Sequence, residues 1–66
     1  MYYNGKPIRT DIHFRDHLKH KVPVQVYRGG EHLDIGFIQN YTRFFVRINN
    51  KDYSRKLCRF ISRPGY

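Results

Sequence analysis

The side chains with most chemistry to offer lie between residues 41 and 63. Arg43, Arg47, Arg55, Arg59 and Arg63 fall there, interleaved with Tyr41, Phe45, Leu57 and Ile61. Permanently charged guanidiniums can follow a phosphate backbone, and aromatic faces stack on bases. Period-two alternation sorts the segment into faces. If Phe44, Val46 and Ile48 point to a core, then Arg43, Phe45 and Arg47 point out. Around residues 56–63, Cys58 and Phe60 make the better core face, since arginine is rarely buried unpaired. Leu57, Arg59, Ile61 and Arg63 then share the outer face. Leaving such a mixed surface in water is costly. Three arrangements satisfy it. Arginines could contact phosphates while Phe45, Tyr41 or Tyr27 stack on bases. The apolar residues could instead form a subunit interface. Or a short N-terminal helix and arm could cover both strand faces.

His13, His17 and His20 fall at i, i+4 and i+7, with Asp16 nearby. On a helix they share one face, and three such ligands could hold zinc. There is no HExxH and no nearby cysteine, and a solvated polar face opposite Phe14 and Leu18 explains them equally well. Catalysis finds no foothold. Asp11, Asp16, Glu31, Asp34 and Asp52 are scattered without an acid/base pair, and Ser54 and Ser62 lack a nucleophile context. Gly29-Gly30 has no following Gly-Lys-Ser/Thr, so it is a turn and not a phosphate loop. The expectation is a binding module, not an enzyme, with no cofactor and no small-molecule substrate.

Bulk properties agree. The 66 residues carry 13 Lys+Arg against 5 Asp+Glu, a formal net charge of +8. Such an excess self-repels and draws polyanions. Nucleic acid is the leading partner; a protein partner with an acidic surface, or a second copy of the chain, is the alternative. The single cysteine, Cys58, excludes an intramolecular disulfide and fits a reducing compartment. No signal-like or membrane-spanning apolar run is present, so the expected address is the cytoplasm. Six Tyr and five Phe argue for a packed core over disorder.

The elements that must position these residues follow from punctuation. Residues 1–9 read as an irregular arm, with turns at Asn4-Gly5 and Lys6-Pro7. Ile8, Thr10, Ile12 and Phe14 alternate as a strand would, but Thr10-Asp11 is a helix start, which favours a short helix over about 11–20, ended before Pro23. From Val22 the period becomes two: Val22, Val24 and Val26 point one way. Gly29-Gly30 makes a hairpin, and the return strand carries Leu33, Ile35 and Phe37, with Gly36 marking a bend. Asn40-Tyr41-Thr42 is a bend or loop, Asn49-Asn50-Lys51-Asp52 a second turn, and a last strand runs from Tyr53 to Ser62. Residues 63–66 form a tail. One helix followed by four to five strands over 22–62 predicts a single mainly β domain, a small antiparallel barrel.

The stretch 12–62 resembles the SH3-like small barrels, and among them the Sm-like, Hfq-like proteins. Phe14-Arg15-Asp16-His17-Leu18-Lys19-His20-Lys21-Val22-Pro23-Val24-Gln25-Val26 is similar to the Sm-like helix running into its first strand. Gly29-Gly30-Glu31-His32-Leu33-Asp34-Ile35-Gly36-Phe37-Ile38 resembles the hairpin and the second strand with its bending glycine. Leu57-Cys58-Arg59-Phe60-Ile61-Ser62 stands where the last strand would be. The resemblance implies the barrel. It does not carry over the RNA pocket: the loop Gln39-Asn40-Tyr41-Thr42-Arg43 lacks the acidic residue. Lys56-Leu57-Cys58-Arg59 replaces the later Arg-Gly or Tyr-Lys-His signature.

Overall fold

The computed structural model describes residues 3–66; the first two residues of the predicted arm lie outside the described residues. The chain is mainly β with one short helix. In order it forms β1 (Pro7–Ile8), α1 (Asp11–Lys19), β2 (Val24–Arg28), β3 (Glu31–Gly36), β4 (Ile38–Tyr41), β5 (Phe45–Ile48), β6 (Lys51–Ser54) and β7 (Arg59–Ser62). Strands β1-β7-β2-β3 make one antiparallel sheet and β4-β5-β6 a second.

Local chemistry sets most boundaries. Thr10 caps α1: its side-chain oxygen accepts from the His13 amide at 3.2 Å. His13 reciprocates, with Nδ1 accepting from the Arg9 and Thr10 amides at 3.1 and 3.5 Å. This is a capping box with histidine where glutamate usually stands. The hairpins at Gly29-Gly30 and Asn49-Asn50 hold positive φ at both central residues, 57° and 82° in one, 53° and 64° in the other. Glycine and asparagine accept that conformation, which matches the strand twist. Gly36 ends β3, and the chain crosses to the second sheet after Phe37. A Cβ on Gly36 would stand 2.9 Å from the Asn49 side-chain amide and 3.1 Å from Ile48 Cγ2, so a larger residue there would have to displace both side chains.

The core lies between the sheets and under the helix. Ile8, Phe14, Val24, Val26, Ile38, Val46, Ile48 and Phe60 are buried, with Leu18, Tyr41, Tyr53 and Cys58 packed against them. Phe14 is the helix's main anchor, edge-on to Phe60 at 5.4 Å. Truncating such a ring costs about 3–5 kcal/mol.

Several expectations require correction. The arm is not wholly irregular. Pro7 and Ile8 pair with Ile61 and Phe60, which buries Ile8. Phe44 is not core but 65% exposed. The Thr42 hydroxyl accepts from the Phe44 and Phe45 amides at 3.1 and 3.0 Å, which holds Phe44 in a turn, and β5 starts one residue later. Asn40 and Tyr41 belong to β4, not to a bend. The predicted last strand from Tyr53 to Ser62 is two strands. Ser54 breaks it: its hydroxyl accepts from the Leu57 amide and its carbonyl from the Cys58 amide. On β3, a register shift opposite Val26/Tyr27 places Asp34 against Val26. Leu33 and Phe37 stay exposed.

Candidate nucleic-acid interface

The five arginines proposed from the sequence do not form one face. Arg55 turns inward. Its side chain is only 17% exposed, and Nη1 lies 2.7 Å from Asp11 Oδ1. It also donates to the carbonyls of Thr42 at 2.6 Å and Arg9 at 3.0 Å, with its guanidinium 4.7 Å from the Phe14 ring centre. A group held this way ties α1 to the strands and is not a free backbone contact. Arg47 faces outward, but its cross-strand partner is Asp52. Two hydrogen bonds join them, at 2.9 and 3.3 Å. Hydrogen bonding to the guanidinium holds the Asp52 carboxyl below the usual carboxylate range and pushes Arg47 up. The groove over this sheet, about 370 Å³, is lined by Gln39, Asn50, Phe45, Arg47 and Asp52 among others. Its charges cancel.

The proposed stacking groups divide too. Tyr41 is half-buried with its ring centre 6.2 Å from that of Phe14, so it packs on the core instead of offering a clear face. Phe45 is 46% exposed and lines the neutral groove. Arg43 is exposed at the 42–45 turn, 5.7 Å from the ring of its neighbour Phe44.

The larger sheet differs. Tyr27 of β2 stands opposite Arg59 of β7. With Ile61, Arg63, Gly5 and Gly30 they line a groove of about 330 Å³ that contains no carboxylate. Arg63 is steadied by Gln25 Oε1 at 2.7 Å and Asn4 Oδ1 at 3.2 Å. Both partners are neutral, so its charge is undiminished. Tyr27 lies edge-on to His32 at 5.5 Å. Of the five proposed arginines only Arg59 and Arg63 line this groove. The ring beside them is Tyr27, which alternation places outward but cannot pair with Arg59.

The histidines do not converge. His13 is spent on the helix cap. His17 is not solvated, as the helical pattern suggested, but fully buried. Its Nδ1 donates to the His13 carbonyl at 2.7 Å, which leaves Nε2 to accept from the Ser62 hydroxyl at 2.7 Å. Burial lowers its pKa, partly offset by the hydrogen bond to the His13 carbonyl. His20 turns Nδ1 to the Asp16 carbonyl at 3.0 Å. Among the described residues no three His, Cys, Asp or Glu side chains are grouped as a metal site. The position of His17 and Ser62 is explained by packing: they latch helix to sheet, and no buried side-chain nitrogen or oxygen among the described residues lacks a partner.

Asp34 ties the two sheets together. Its carboxylate accepts from Asn49 Nδ2 at 2.8 Å, the Ile35 amide at 2.8 Å and the Tyr53 hydroxyl at 2.7 Å. Burial acts to raise its pKa, but these hydrogen bonds outweigh it and hold it below the usual range. Burial and the Asp34 carboxylate push the Tyr53 hydroxyl up to about 12. No helix among the described residues is long and apolar enough to cross a membrane. No family model matches the chain, and neither a curated protein nor a solved structure does.

Proposed function

We propose that this chain is a non-enzymatic cytoplasmic module that binds the backbone of nucleic acid across the outer face of its larger sheet. The observation that carries the proposal is the Tyr27–Arg59–Arg63 groove, where two guanidiniums and an aromatic ring meet without a carboxylate. Arg59 and Arg63 are roughly 13 Å apart along an extended chain, at about 3.3 Å per residue, so they serve separate phosphates. Tyr27, opposite Arg59, offers a ring for stacking. The net charge of +8 supplies long-range attraction. The strand order suits an SH3-like, Sm-like barrel that is not fully closed. β7 returns beside β2, and the Gly36 bend passes the chain from one sheet to the other. On that view the contacts sit on the sheet face, since the Sm-like pocket residues are absent.

Binding of a short single-stranded oligonucleotide, followed by fluorescence anisotropy across a salt series, tests the proposal. Affinity should fall steeply as salt rises, by a log–log slope of about −0.7 for each phosphate contacted. Salt-independent binding, or none at low salt, rejects it.

A second reading has its own support. Phe44 and Leu57 are 65% and 54% exposed and lie beside the turns that Arg55 joins. That apolar surface suits a protein partner or a second copy. Light scattering at high concentration separates the two: a clean monomer argues against self-association.

A further inference from the structure

Arg59 lines a second cleft on its other side. The cleft exists because β1 stops at Ile8, paired with Phe60. The chain then turns away at Arg9 to enter α1, which leaves the edge of β7 uncovered at Cys58 and Arg59. The gap, about 240 Å³, is lined by Ile8, Phe14 and Phe60 on its apolar side and by Arg9, Arg55 and Arg59 on its charged side, with no carboxylate in the lining. Arg55 spends three of its five N–H donors on Asp11 and the carbonyls of Thr42 and Arg9. Two donors remain, on a guanidinium already fixed in place. Asp11 offsets one of the three positive charges, so about two are left for a ligand.

We propose that this cleft takes a phosphate monoester, the terminal phosphate of a strand whose internal phosphates follow Arg59 and Arg63. The inference rests on the nucleic-acid reading and adds recognition of a strand end. Charge favours it. A monoester carries about −1.5 to −2 at pH 7, where an internal diester carries a single charge. Fixed guanidiniums suit the fork geometry of phosphate oxygens. Arg59, shared by both cavities, joins the end site to the groove.

The experiment uses one internally labelled single strand prepared with a 5′-phosphate, with a 3′-phosphate, or with hydroxyls at both ends. Anisotropy should show one phosphorylated form binding about tenfold tighter than the hydroxyl form, as expected for new charge-assisted hydrogen bonds. The preference should shrink below about pH 6, where the monoester loses its second charge. Arg9→Gln should remove the preference while changing affinity for the hydroxyl-ended strand by less than about threefold, the loss of one distant charge. Equal binding of all three strands overturns the end site and leaves the nucleic-acid reading standing. So does a preference that survives Arg9→Gln. Failure of every strand to bind overturns both.

Discussion

The outer faces of the two sheets carry the same residue types and reach opposite electrostatic results. On the smaller sheet Arg47 meets Asp52 across a strand pair, and Gln39 and Asn50 close on each other at 2.6 and 3.0 Å. On the larger sheet Arg63 bonds to the neutral Gln25 and Asn4, and the groove it shares with Arg59 is lined by no carboxylate. The difference teaches that a count of arginines does not locate a polyanion site. What locates it is where the few carboxylates go. Asp52 is spent on Arg47, Asp11 on Arg55 and Asp34 on the sheet junction, and neither these nor Asp16 and Glu31 line the groove of Tyr27, Arg59 and Arg63.

The largest effect expected follows directly. Replacing Arg59 and Arg63 together by Gln should weaken single-strand binding about a hundredfold, at about 1.4 kcal/mol per tenfold for each charged contact. Arg47→Gln, the same change on the compensated face, should shift affinity less than twofold, a change far below one such contact. Equal losses from both faces would break the comparison. Circular dichroism of each variant confirms that the fold is retained.

Arg55 stands between the faces and belongs to neither. Arg55→Met keeps the stem but loses the hydrogen bonds to Asp11 and to the Thr42 and Arg9 carbonyls; these partners are exposed and can rehydrate, so the loss is about 1–2 kcal/mol. In a domain whose core supplies roughly 3–5 kcal/mol, urea unfolding should show the midpoint falling by about a third. The protein that remains folded should bind hydroxyl-ended strands as the parent does. A variant of unchanged stability but lost binding would return Arg55 to the interface.

Acid should separate the two latches that hold these faces in place. The pKa of His17 is lowered in the folded state, so above pH 6.5 the residue is neutral in both states and contributes no pH dependence. Below 6.5 the unfolded chain takes up a proton that the folded one resists. Stability should then fall by up to about 1.4 kcal/mol per pH unit until the folded value is reached. Asp34 acts in the same direction, at lower pH. Its carboxylate supports the fold above the ordinary carboxylate pKa, and that support is lost as pH drops through its depressed folded value. Urea midpoints between pH 7.5 and 3 should therefore decline in two stages, and His17→Gln should flatten the first. A single carboxylate stage in the parent would remove His17 as a latch.

What the sequence made legible is what neighbouring residues decide. The Thr10 cap, the glycine and asparagine hairpins, the Gly36 bend and the buried phase of Val24/Val26 and Val46/Ile48 all depend on contacts a few residues long. Phe44 was misplaced because the Thr42 hydroxyl, a side chain, delays the strand. The break after Ser54 carries no glycine or proline to announce it. The fate of each arginine was out of reach for a different reason. Asp11 is 44 positions from Arg55, and Ser62 is 45 from His17. Only the folded topology brings such partners together. Asp52, five positions from Arg47 across a tight hairpin, was the one compensating acid that strand pairing could have revealed.

That pair offers the finest test of the comparison, since it can be undone from the acidic side. Asp52→Asn keeps the size of the side chain and removes its charge, leaving Arg47 uncompensated beside the exposed Phe45. If carboxylate placement is what distinguishes the faces, the smaller sheet should then gain a weak site of its own. Affinity for a hydroxyl-ended single strand should rise about threefold at low salt, and the salt slope should steepen by about 0.7, one added phosphate contact. Adding Arg47→Gln to the same chain should return both quantities to the parent values, because the new contact would be gone while the acid stays absent. If Asp52→Asn leaves affinity and slope unchanged, charge cancellation is not what silences this face. The preference for the larger sheet would then have to come from the shape of the Tyr27 groove.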